Sequence, residues 1–168
     1  MRIKRKKNNV FISEAGKSRT PIRLLYLLAL PLLLCIPAFA DEIDDVIPYL
    51  IIVESQNNPA AVSNAGCIGL MQINPRGALK EWNETHPTMR LTPKDLFDPI
   101  VNVTVGRWYL HRLKNYYLKN HYTLERLLAA YNGGITRLKR CGYNISCMPQ
   151  ETQAYVQKIM RLYRRGAR

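Results

Sequence analysis

Residues 50–75 read LIIVESQNNPAAVSNAGCIGLMQINP, and this stretch decides how the rest of the chain is read. Counting back from Glu54, the apolar positions are Ile51, Leu50, Ile47, Val46 and Ile43. Such spacing marks one face of a helix, so Glu54 points the same way as the oily side chains. A carboxyl group held among apolar neighbours is desolvated, and desolvation raises its pKa. A carboxyl that stays protonated near neutral pH can serve as a general acid. The plainer alternative is a glutamate at the solvated end of a helix, where most charged side chains sit. The residues after Glu54 weigh against it. Ser55-Gln56-Asn57-Asn58-Pro59 stops the helix with turn formers, and Ser63-Asn64-Ala65-Gly66 is a second turn. Gly66 and Gly69 allow close backbone approach, and Gln72 is a polar residue inside the apolar run from Ile68 to Ile73.

These residues resemble the catalytic signature of the soluble lytic transglycosylases: Glu54-Ser55, Asn58-Pro59, Ala61, Ser63, Gly66 and Gly69-Leu70-Met71-Gln72-Ile73. Ala130-Tyr131-Asn132-Gly133-Gly134 is similar to a second block of that family, and Glu151-Thr152 with Tyr155-Val156 to a third. The blocks occur in the family's order around a single Glu. The resemblance implies one mostly α-helical domain with the goose-type lysozyme-like fold. It implies cleavage of the β-1,4 bond between N-acetylmuramic acid and N-acetylglucosamine in peptidoglycan, with no cofactor and no metal. Glu54 would be the acid and then the base. Ser63, Gln72, Tyr131 and Asn132 would bind substrate, the first three by holding the acetamido group and lining the cleft. The substrate's N-acetyl group would stabilise charge at the anomeric carbon, and its 6-hydroxyl would close a 1,6-anhydro ring. A glycosidase of the usual kind needs two carboxylates, and a second is hard to find. Asp95 and Asp98 read as helix caps, and Glu81 and Glu84 lie in a polar stretch. Asn74 stands where many relatives have Met. Short secretion-associated members more often carry Asn there, which implies local wall opening for a secretion, conjugation or pilus machine. The alternatives are a lysozyme-like hydrolase and a non-catalytic peptidoglycan-binding assembly factor. No Ser-His-Asp or Cys-His-Asp signature points to a peptidase.

The chain has 168 residues and a formal charge of +13. Residues 1–40 hold eight Lys/Arg and one Glu; residues 41–168 hold 17 and 11, a net of 17 − 11 = +6. The cations are dispersed and no nucleic-acid motif surrounds them, so the basic surface suits an acidic polymer such as peptidoglycan. A basic start over 1–23, an apolar core over 24–40 and the ending Ala38-Phe39-Ala40 describe a secretory signal peptide. Cleavage after Ala40 would leave a domain of residues 41–168 in the periplasm; the alternative is an inner-membrane anchor formed by 24–40. Export favours disulfides. Cys141 and Cys147 could staple a small loop, leaving Cys67 as a buried small hydrophobe. The three have no recognised zinc spacing.

The rest reads as helices. Pro48 means that the Glu54 helix either starts there or bends there. A helix is expected over Gln72–Trp82. Thr92-Pro93-Lys94-Asp95 is a capping-box variant, and Asp98-Pro99 starts a long central helix running to about Asn120. Thr123 caps a helix to Tyr131, which Asn132-Gly133-Gly134 ends. There Tyr131 is either a core tyrosine with a wet hydroxyl or a site residue. Pro149-Gln150-Glu151 opens the last helix, with Tyr155, Val156, Ile159 and Met160 inward.

Overall fold

The computed structural model describes residues 41–166; the signal-peptide reading of 1–40 lies outside the described residues. The helix that carries Glu54, α1, spans Glu42–Ser55. The Asp41 carboxylate accepts from Ile43 N at its start, and Glu42, Asp44 and Asp45 fill a first turn where negative charge meets the positive helix end. Ile43, Val46, Ile47 and Leu50 are buried along one face. The helix runs through Pro48 rather than starting there. Pro48 is exposed, so the Asp44 carbonyl that loses its partner lies on the outer face. Gln56 and Asn57 end α1 with φ of 54° and 64°.

No helix forms over 72–77. Gln72 has φ 49°, Ile73 exchanges both backbone hydrogen bonds with Ile68, and Gly77 N donates to Asn74 O, so α2 covers only Ala78–Thr85. Among the described residues β-structure amounts to isolated bridges that pair Ile68 with Val62 and with Ile73. Asp98 caps α3, Pro99–Arg112, by accepting from Ile100 N and Val101 N. The helical path then widens to a π-turn over Leu113–Leu118 and tightens to a 3₁₀ turn over Lys119–His121. Thr123 caps α4, Leu124–Gly133, through Arg126 N. Gly134, at φ 85°, turns the chain into α5, Ile135–Arg140, a short helix not anticipated from the sequence. Cys141 and Cys147 are joined by a disulfide, and α6 runs from Gln150 to Gly166.

α1 packs on α6 and α3, α4 packs on α6 and α5, and the core lies between them. Fully buried Leu110, Leu113, Leu127, Leu128 and Ile159 belong to it. Burial of side chains of this size stabilises by roughly 1.5–3 kcal/mol each. Among the described residues no helix is long and apolar enough to cross a membrane.

Candidate active site

The loop between α1 and α2 is held from beneath by Asn102 of α3, which is fully buried. Its Oδ1 accepts from Met71 N at 2.8 Å, and its Nδ2 donates to Ile68 O at 2.9 Å and Leu96 O at 2.8 Å. Gly69 (φ 77°) crosses directly over this amide, and a Cβ there would collide with it. The loop also ties itself. Ser63 Oγ accepts from Cys67 N, while Gln72 Nε2 donates to Ala61 O and Gly69 O.

Glu54 ends α1 beside this loop and faces a cleft of about 500 Å³. Ser63, Gln72, Tyr131 and Asn132 line the same cleft, so all five residues chosen from the sequence meet in one place. Glu54 is half-buried, and burial pushes its carboxyl up to about 7 from an ordinary 4.5. A hydrogen bond from Tyr155 Oη to Glu54 Oε1, 2.6 Å long, acts in the opposite direction by favouring the charged form. Burial pushes the Tyr155 phenol well above its usual range, and the Glu54 charge beside it adds to that. Tyr155 therefore stays a proton-bearing donor at any pH where Glu54 titrates.

The polar valences of the site are partly spent. Both Gln72 amide hydrogens go to loop carbonyls, which leaves its Oε1 as an acceptor facing the cleft. Ser63 Oγ accepts within the loop and keeps its hydrogen to donate. The Tyr131 hydroxyl is not wet: it donates to Met71 O at 2.8 Å, pinning the loop and offering its ring to the cleft. Burial raises its pKa well above normal. Asn132 Oδ1 accepts from buried Thr152 Oγ1 at 2.8 Å, which orients its amide from α6.

Sequence reasoning missed several residues here. Tyr155 passed as a core residue of the last helix, although Thr152 and Tyr155, three residues apart, share its buried face. Tyr109 of α3 lines the cleft with its ring 6.0 Å from that of Tyr131, and burial pushes its phenol up to about 12. Cys67 is not a buried hydrophobe but part-exposed, and it too lines the cleft. The cleft also holds a second carboxylate: Glu151, exposed in the first turn of α6. Glu81 sits elsewhere, paired with Arg112 at 3.4 Å. Among the described residues no cluster of His, Cys, Asp and Glu could hold a metal ion.

The family model described as the transglycosylase SLT domain matches residues 42–145. The membrane-bound lytic murein transglycosylase E of Buchnera aphidicola is 36% identical over 105 residues, covering 59% of this chain and 50% of that protein. The membrane-bound lytic murein transglycosylase C of Salmonella arizonae is 38% identical over 86 residues, 48% of this chain and 24% of that protein. The fold is similar to that of the 70 kDa soluble lytic transglycosylase of Escherichia coli, with TM-score 0.58, 26% identity, and 69% of this chain matched to 20% of that one. It is also similar to an inactive Glu-to-Gln mutant of the Pseudomonas aeruginosa lytic transglycosylase Slt, with TM-score 0.60, 25% identity, and 71% of this chain matched to 20% of that one. The chain thus spans half or less of the length of each of these proteins.

Proposed function

The chain belongs to the transglycosylase SLT domain family, and from that premise we propose that it cleaves the β-1,4 bond between N-acetylmuramic acid and N-acetylglucosamine, leaving 1,6-anhydro ends. The observation that carries this reading is the state of Glu54: a half-buried carboxyl with a pKa of about 7, hydrogen-bonded to Tyr155 and open to the cleft. Such a group gives and retakes a proton at neutral pH with little driving force lost either way. In the proposed reaction Glu54 protonates the glycosidic oxygen as the bond to the anomeric carbon breaks. The substrate's acetamido oxygen stabilises the positive charge that develops. Ionised Glu54 then takes the proton of the 6-hydroxyl, whose oxygen closes onto the anomeric carbon. The enzyme ends protonated as it began, and no water is consumed.

Ser63 and Gln72 suit the acetamido group as a pair. The hydroxyl can donate to its carbonyl and the Gln72 Oε1 can accept from its N–H, because the Gln72 amide hydrogens are already committed. Tyr131 offers an apolar face, and Asn132 an amide held by Thr152.

A hydrolase reading draws on Glu151, a second carboxylate in the same cleft, which could activate water. Mass spectrometry of muropeptides released from purified sacculi separates the two. The transglycosylase yields 1,6-anhydro ends, lighter by one water than the reducing ends that a hydrolase leaves. Reducing ends alone would overturn the proposal. Loss of all cleavage in Glu54→Gln is expected; unchanged cleavage would remove Glu54 from the reaction, and no cleavage by the wild type would favour an assembly factor. The relatives named as membrane-bound murein transglycosylases support a place at the cell wall. We extend the reading to export with cleavage after Ala40, or anchoring by 24–40, and to local wall opening for an envelope transport machine. The last rests on the resemblance at Asn74, which lines the cleft.

A further inference from the structure

A second groove, about 420 Å³ in volume, opens off the Glu54 cleft and shares Tyr109, Gly133 and Gly134 with it. Arg137 and Arg140 of α5 line this groove and not the main cleft. Three residues apart on a helix, they lie on one face. Leu138 between them is fully buried, and Lys139 turns away so that its ammonium lies 5.3 Å from the centre of the Tyr117 ring. Both arginines are exposed, and neither joins an ion pair among the described residues. By contrast Arg107, Arg112 and Arg164 are paired with Asp44, Glu81 and Glu125. Glu151, the exposed carboxylate of the main cleft, does not line this groove.

A guanidinium stays charged at every working pH and presents a fork of donors that matches a carboxylate. Two of them, uncommitted in a groove that shares part of its wall with the site, call for an anionic part of the ligand. The sugar rings of peptidoglycan are neutral, and in intact wall the lactyl group is tied up in an amide. The charge available there is on the stem peptide. We infer that Arg137 and Arg140 bind a stem-peptide carboxylate of the strand whose glycan lies at Glu54, so that the enzyme prefers peptide-bearing wall with free carboxylates. This rests on the reading of the cleft as a peptidoglycan site.

The test compares kcat/KM on native sacculi with that on sacculi whose carboxylates have been amidated with a carbodiimide. The wild type should prefer native sacculi by about tenfold, expressed mainly in KM, as expected for loss of a charge-assisted contact. R137Q/R140Q should bring that ratio to about one, R137K/R140K should keep most of it, and R161Q/R165Q on α6, removing the same charge elsewhere, should keep it all. A wild-type ratio of one, or R137Q/R140Q keeping the wild-type ratio, overturns the inference. So does a preference that survives on strands stripped of peptide, which carry only lactyl carboxylates. If the wild type cleaves nothing, co-sedimentation of Glu54→Gln with native against amidated sacculi still decides the matter. Stronger binding to native sacculi that R137Q/R140Q abolishes upholds the contact while the proposed reaction fails; equal binding overturns it.

Discussion

Replacing Glu54 by Gln should stabilise the protein at pH 8 and leave it nearly unchanged at pH 4. Burial holds the Glu54 carboxyl at about 7 in the fold, against an ordinary 4.5. The difference, 7 − 4.5 = 2.5 pH units, corresponds to about 3 kcal/mol at about 1.4 kcal/mol per unit. Between those two values the folded chain keeps a proton that the unfolded chain has released. Stability from this group is therefore complete below pH 4.5, falls as pH rises, and is lost by the time pH passes 7. Gln never ionises, and its Oε1 can accept the Tyr155 hydroxyl as the carboxylate does, so the variant carries no such slope. For a domain of this size about 3 kcal/mol is about 10 °C in Tm. Thermal or urea unfolding of both proteins at pH 4 and pH 8 measures it. A difference between variant and wild type that is the same at both pH values would refute the reasoning, since Glu54 would then have no raised pKa in the fold.

Tyr155→Phe removes the donor that favours ionised Glu54, so the Glu54 pKa should rise by about one to two pH units, the equivalent of a hydrogen bond to a charged group. The alkaline limb of the pH profile for sacculus clearing, set by the general acid, should move upward by that amount; a limb that stays put assigns it to another group. Asn102→Ala takes the amide partner from Met71 N and Leu96 O in the core and one of the two donors from Ile68 O, and should lower stability by about 3–5 kcal/mol in urea unfolding. Reduction of the Cys141–Cys147 disulfide, which closes a loop of sequence separation 6, should lower stability by roughly 2 kcal/mol, read as a shift in urea midpoint with and without dithiothreitol.

The legible part of the fold came from short-range rules. The apolar face of α1, the Asp98-Pro99 start of α3 and the Thr123 cap of α4 each depend on residues within a turn or two, and each is present. The expected helix from Gln72 to Trp82 failed for a long-range reason. Ile73 pairs with Ile68 and Asn102 grips Met71, so the backbone stays irregular until Ala78 whatever the apolar spacing suggests. α5 was missed because its six residues are too few to show periodicity, and because Gly134 looks like an ending when it is a corner. The π-turn after α3 has no residue signal at all.

The site divides in the same way. Glu54 stood out because a charge on an apolar helix face is anomalous within its own segment. Tyr155 and Asn102 did not, because each looks ordinary locally and acquires its role from a partner 101 residues away in one case and 31 and 34 in the other. The missed residues bear directly on how one carboxyl could do two jobs. Burial alone would push the Glu54 pKa higher still, leaving a carboxyl that holds its proton at neutral pH but gives it up reluctantly. The Tyr155 hydrogen bond alone would hold it ionised at neutral pH, with no proton to give and little basicity to take one back. Acting together they set the pKa at about 7, where the same group is a competent donor and a competent acceptor of one proton. On the proposed reaction that balance lets Glu54 act twice, so that Glu151 need not bind water or move for a turnover to complete.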